Sequence, residues 1–277
     1  MTDEPDELTP QPKRKGGVFI SRGMSIQIPV GGLKISLGGD TEPDMSLTLH
    51  VSLDIHPYWL EIALSHLERA SAAHEEVLTS WKNEDQQQKG RSLEADFVES
   101  LQSIMASAIA VDAFYAVVKR HTTIPPKTLT AWKTQRTARY RQIAEVFRRA
   151  FLVGPQSAAQ MRSHLKELFK WRDWSVHPSS RFDQPLWYPE LNVATEWRFV
   201  AFNYSNAKAA ASVALSLVAQ LLSRPRPNSA ELVRYCEGAL PLVLPLVERW
   251  ESRYGELYPL DSAGDTGKEE SQPEGAA

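Results

Sequence analysis

One hexapeptide in this chain, Arg172-Asp173-Trp174-Ser175-Val176-His177, has residue types suited to chemistry on a phosphodiester. Pro178 follows it, and a proline disfavours helical geometry in the residue before it, so His177 is expected at or just past the last turn of a helix. An imidazole there lies against the partial negative charge of the helix C-terminus, which favours its protonated form. Arg172, about one and a half turns upstream, adds a permanent cation. The pair suits an anionic ligand such as phosphate. A histidine titrating near neutrality can also move protons, so the same two residues could bind a phosphodiester and help to cleave it.

Spacing alone does not select this copy. With 19 Arg and 7 His in 277 residues, one fixed separation arises by chance about 0.5 times per chain. Arg69-Ala70-Ser71-Ala72-Ala73-His74 has the same separation, but it runs into Glu75 and Glu76 inside a continuing helical pattern, with no terminus to orient the ring. Context favours Arg172 and His177.

The elements that must position them follow from periodicity. Between residues 17 and 54 the period is two: Ile26, Ile28 and Val30 alternate with polar residues, Gly31-Gly32 supplies turn geometry, and Leu33, Ile35, Leu37 and then Met45, Leu47, Leu49, Val51 and Leu53 resume the alternation. A small antiparallel sheet is expected, with His50 on its solvated face. From 55 to 258 the period is helical, with candidate helices near 57–81, 92–121, 128–152, 157–176, 203–223 and 229–254. The predicted class is mainly α, an antiparallel helical bundle with a small N-terminal antiparallel β-sheet. Pro241 and Pro245 predict a kink or break in the last helix. Residues 1–16 read as a disordered lead and 259–277 as a disordered acidic tail.

Composition bounds the partners. Apolar residues make up 42% and charged residues 23%, enough for a sizeable core. The net charge of -3 gives no global basic field, so nucleic-acid binding requires a local patch. The helix predicted over 128–152 supplies one: Lys133, Arg136, Arg139, Arg141, Arg148 and Arg149 stand against Glu145 alone, and Arg136 falls on the stripe of Trp132, Ile143, Phe147 and Ala150. These side chains either line a cleft for RNA or form a solvated face. Cys236 is the single cysteine, which excludes an intrachain disulfide and multi-cysteine zinc sites and fits a reducing cytoplasm. No metal or other cofactor is expected. The first 15 residues lack the apolar stretch of a signal peptide. Residues 207–222 fall short of the roughly 20 apolar residues that span a bilayer, so no membrane contact is expected.

Two further groups of residues concern the site. The loop over 179–197 carries Phe182, Trp187, Tyr188 and Trp197; these rings either stack on unpaired bases or fasten the loop to the bundle. Asp112 interrupts the apolar stripe Phe97, Leu101, Ile104, Ala108, Val111, Tyr115 and Val118. A carboxylate there needs a partner, which is either Arg172 or His177 of the motif or another arginine in a structural salt bridge. Ser175 either contacts a phosphate or bonds its own helix backbone, and Asp173 and Trp174 are expected to orient the motif or to pack.

The bundle with Arg172, four residues, His177 and Pro178 at the end of its fourth helix resembles the HEPN superfamily. Asp173, the polar neighbour of the arginine, fits that pattern, and Ala110-Val111-Asp112-Ala113-Phe114-Tyr115 is similar to the acidic-aromatic stretch of many members. The likeness covers about 57–223. It implies a metal-independent endoribonuclease acting as a homodimer, with the two motifs meeting across the interface. His177 would serve as general acid or base in attack of the ribose 2′-hydroxyl on the adjacent phosphate, leaving a 2′,3′-cyclic phosphate. Arg172 would hold the phosphate, with Asp112, Asp173 and Ser175 in support and Arg136, Trp187 and Tyr188 contacting RNA. It further implies a defence or toxin–antitoxin setting with an inhibitory protein partner. The second reading is a HEPN-like module that binds RNA or nucleotide, or mediates dimerisation, without catalysis.

Overall fold

The computed structural model describes residues 18–36, 44–177 and 183–259. The expected lead and most of the expected tail lie outside them, as do Pro178 and Phe182. The chain divides after Leu53 into two units.

In the first unit the alternating pattern forms an antiparallel ribbon. Strand β1 (Met24–Gln27) pairs with β4 (His50–Leu53), and β2 (Leu33–Ser36) pairs with β3 (Asp44–Leu47). The register sets Met24 opposite Leu53, Ile26 opposite Val51 and Leu33 opposite Leu47, while Ser25 meets Ser52, Gln27 meets His50 and Lys34 meets Ser46. Successive side chains point to opposite faces, so each sheet sorts into an apolar and a polar side. Between the sheets, Gly31 adopts φ +76°, and a Cβ on Gly32 would come within 2.9 Å of the Pro29 ring. His50 is exposed in β4, as a solvated strand residue.

The second unit is helical. Helix α1 (His56–Ser80) turns through a short link into α2 (Gln86–Arg120). Helix α2 starts six residues before the predicted onset because the Asp85 carboxylate accepts hydrogen bonds from the Gln87 and Gln88 backbone N–H groups, capping a polar first turn that carries no apolar signal. The single helix expected over 128–152 is two, α3 (Pro126–Thr134) and α4 (Arg139–Ala150). Arg136 lies between them at φ +48°, which ends helical geometry. Helix α3 has no fully buried residue and meets the core through the partly buried Trp132.

Helix α5 (Pro155–Val176) ends where Pro178 requires. The described part of the segment expected as an aromatic loop forms a hairpin, β5 (Leu186–Tyr188) and β6 (Val193–Thr195), followed by α6 (Trp197–Ala201). Helices α7 (Tyr204–Leu222) and α8 (Ala230–Tyr254) complete the unit, and α8 continues through Pro241 and Pro245 without the predicted break.

The core is built around α2, which packs against α1, α4, α5, α6 and α7. Phe114 of α2 meets Phe147 of α4 at 5.2 Å and Phe151 at 5.9 Å between ring centroids. This contact fixes α4, and with it the basic residues at both of its ends. Among the described residues α2 alone is long and apolar enough to cross a membrane, and it lies inside the bundle.

Candidate functional site

His177 is the residue that follows α5, with φ -119° and ψ 70°, and its backbone N–H donates to the Asp173 carbonyl at 3.0 Å. Its side chain is exposed. The Arg172 guanidinium lies 4.6 Å from the Phe169 ring and donates to Asp173 Oδ1 from Nε at 3.1 Å and from Nη2 at 2.7 Å. Asp173 thus holds the arginine directly.

Arg172 lines a cleft of about 330 Å³ between the last turns of α5 and the start of α4. Arg139, Lys166 and Lys170 share it; of these four cations Arg172 pairs with Asp173, Arg139 with Asp112 and Lys170 with Glu167. Lys170 sits 4.6 Å from the Trp174 ring centre and 3.3 Å from Glu167. Trp174 in turn meets Trp197 of α6 edge-on at 5.5 Å. Such a wall of cations and half-exposed aromatic surface suits an anion that carries a flat ring.

The supporting residues divide between the alternatives that the sequence leaves open. Asp112 accepts from Arg139 Nε at 2.7 Å, and that guanidinium covers the Tyr115 ring at 4.3 Å. The carboxylate therefore positions a cation of the cleft and pairs with neither Arg172 nor His177. Ser175 donates to the Arg172 carbonyl at 2.7 Å, so its hydroxyl serves its own helix, and it also contacts Met105 Sδ. Arg136 is exposed in the α3–α4 turn and does not line the cleft. Trp187 is 56% exposed, whereas Tyr188 is 2% exposed and packs with Val77 and Leu191. Its ring is closed to a stacking base. Burial, together with Asp96 and Glu190 nearby, pushes the Tyr188 hydroxyl above its ordinary range.

Two histidine clusters carry no signature in the sequence. His74, the histidine of the second Arg-x4-His copy, joins Asp96 of α2 through Nδ1 at 3.1 Å and Glu190 through Nε2 at 3.4 Å, and its ring stacks on Tyr204 at 5.4 Å. The hydrogen bond to Asp96 raises its pKa against the opposing effect of burial, and the charges of Asp96, Glu190 and Glu75 add to the rise. His74 thereby pins the β5–β6 turn to α1 and α2.

The second cluster lies at the start of α1. Asp54 accepts from Tyr235 of α8 at 2.7 Å and pairs with Nδ1 of the fully buried His56 at 2.6 Å. Burial raises the Asp54 pKa, but the hydrogen bonds and charge of His56 and the Tyr235 hydroxyl outweigh it and leave the carboxyl below its ordinary value. Both clusters join residues far apart in the chain, which spacing does not reveal.

Among the described residues no three His, Cys, Asp or Glu side chains gather in a way that could hold a metal ion. Arg172 lines the cleft and His177 does not; the exposed imidazole follows the helix end whose last turns form one wall. Guanidinium groups so placed can neutralise a phosphate. No protein-family model, curated protein or solved structure matches the chain.

Proposed function

We propose that this chain is an RNA-binding, HEPN-like protein that cleaves RNA without a metal ion, using Arg172 and His177. The observation that carries the reading is the cleft itself: Arg172 stands with Arg139, Lys166 and Lys170 beside the helix end that bears an exposed His177. In a chain of net charge -3 the lining gathers four cationic side chains, three of which meet carboxylates at 2.7 to 3.3 Å, so a polyanion binds there by exchanging those contacts for its own phosphates.

In this reading the ribose 2′-oxygen forms a bond to the adjacent phosphorus while the bond to the 5′-oxygen of the next nucleotide breaks. The 2′-hydroxyl proton leaves to a base and the departing 5′-oxygen gains one from an acid. His177 serves one of these transfers, and its counterpart from a second copy serves the other. Arg172 neutralises the charge that grows on the phosphoryl oxygens. The need for a 2′-hydroxyl restricts the reaction to RNA.

The test is incubation of end-labelled single-stranded and structured RNA with the full chain in EDTA, beside Arg172→Ala and His177→Ala variants. Cleavage with cyclic-phosphate ends, reduced roughly 10²–10⁴-fold in the His177 variant, supports the reading. RNA binding without cleavage in the unsubstituted chain moves the assignment to a non-catalytic binding module. Cleavage that survives in both variants removes these residues from the site.

A further inference from the structure

We propose that a second basic cavity, at the opposite end of α4 from Arg172, binds a small polyphosphate anion. The cavity measures about 480 Å³ and collects Arg148 and Arg149 from the last turn of α4, Arg226 from the link between α7 and α8, and His121 from the end of α2. Thr123 and Asn228 add polar groups, and no residue lining it is acidic. Arg139 of the first cleft and Arg149 are ten residues apart on one helix, about 15 Å along its axis at 1.5 Å per residue. The two sites are therefore separate.

The charge balance is the first argument. Glu145 is the carboxylate that meets Arg148 and Arg149, through bonds of 2.7 to 2.9 Å, and it serves both. Arg226 has no carboxylate within 4 Å among the described residues. Its Nε donates to the Phe151 carbonyl at 3.0 Å and its backbone N–H to the Ala150 carbonyl at 2.9 Å. These neutral acceptors fix the guanidinium without cancelling its charge. Glu231 touches His121 at 3.5 Å from a side chain that is 71% exposed, so water screens it.

The second argument concerns the helix ends. Helices α2 and α4 both finish at this cavity, and free C-terminal carbonyls would repel an anion. They are engaged: Thr122 Oγ1 donates to the Val118 carbonyl at 2.8 Å, Ser229 Oγ to the His121 carbonyl at 3.4 Å, and Arg226 covers the end of α4. What remains facing the cavity is guanidinium nitrogen from three positions on two segments. Arg148 gives Nε and Nη2 to Glu145, Arg149 gives Nε to it, and Arg226 gives Nε and Nη2 to the Phe151 and Arg148 carbonyls, so an anion meets the remaining guanidinium N–H groups, and charge on adjacent phosphoryl groups lets it reach more than one arginine. The chemistry required is that of a diphosphate, free or esterified.

The experiment is titration calorimetry of the full chain with inorganic pyrophosphate, inorganic phosphate and an RNA oligonucleotide whose 2′-hydroxyls are replaced by hydrogen. Pyrophosphate is expected to bind at one site, at least tenfold more tightly than phosphate. Arg148→Gln and Arg226→Gln each weaken it at least tenfold, while Arg172→Gln retains it. Arg148 is about half exposed, so its replacement leaves the fold intact even if loss of the Arg226 contacts loosens α4. Absence of binding at millimolar pyrophosphate overturns the proposal, as does unchanged affinity in Arg148→Gln or equal loss in Arg172→Gln. Oligonucleotide binding that falls in Arg148→Gln while pyrophosphate does not bind also overturns it, and assigns the cavity to the nucleic-acid surface. The outcome is independent of RNA cleavage at Arg172.

Discussion

Replacing Asp96 by Asn tests the electrostatic role of His74. Asp96 is 1% exposed, and its two oxygens serve different partners: Oδ1 accepts from Ser100 at 2.9 Å and Oδ2 meets His74. Asparagine keeps a carbonyl oxygen for Ser100 and removes the charge that faces the imidazole. A hydrogen bond to a charged group contributes about 1.5–3 kcal/mol. The His74 side chain is 12% exposed, so solvent screens the contact little, and a loss of about 2 kcal/mol is expected. For a helical unit of this size that lowers Tm by roughly 4–8 °C.

The pH dependence is the sharper readout. Folding raises the His74 pKa above its ordinary value of 6.5, so the folded state holds the proton more tightly than the unfolded chain. The stabilisation is fully present below the unfolded value and is lost as pH rises through the folded one. Thermal melts of both chains between pH 5.5 and 9 should therefore show the widest gap on the acid side, narrowing as pH rises. A gap that is constant or widens with pH refutes the reasoning, as does a difference below about 1 °C throughout.

Two other outcomes follow from the buried groups. Tyr235→Phe removes the hydroxyl that donates to Asp54, a carboxylate whose side chain is 14% exposed, and should cost about 1.5–3 kcal/mol in urea unfolding at neutral pH. Because the Asp54 pKa is lowered on folding, that cost should shrink as pH falls below about 4. Burial pushes the Cys236 thiol up to about 12, so a thiol-disulfide reagent at pH 8 should leave the native chain unmodified and react fully in denaturant.

Residues bound to a repeating pattern were legible in the sequence, and residues bound to a tertiary partner were not. The period-two segment identified the ribbon, because Ile26 and Val51 or Leu33 and Leu47 must share a face once paired. Proline at 178 located the end of α5. The break at Arg136 was hidden, since the stripe from Trp132 to Ile143 keeps helical spacing across residues that leave the helix. The hairpin was hidden because strands of three residues carry too little alternation to register. That alternation separates Trp187 from Tyr188: neighbours on a strand face opposite sides, so one is in solvent and the other in the core. Asp112 announced its need for a partner, but the choice of Arg139 depends on how α4 crosses α2.

The contact between Arg172 and Asp173 ties a cation of the first cleft to the carboxylate of its own neighbour. An anion that approaches Arg172 meets a guanidinium already engaged and exchanges places with a carboxylate that is itself 54% exposed, at a cost of about 0–1 kcal/mol. Under the proposed function, a phosphodiester takes the place of that carboxylate while Lys166 stands in the same lining. The neighbouring acid is thus an internal competitor, present at a fixed local concentration that any anion at Arg172 has to match.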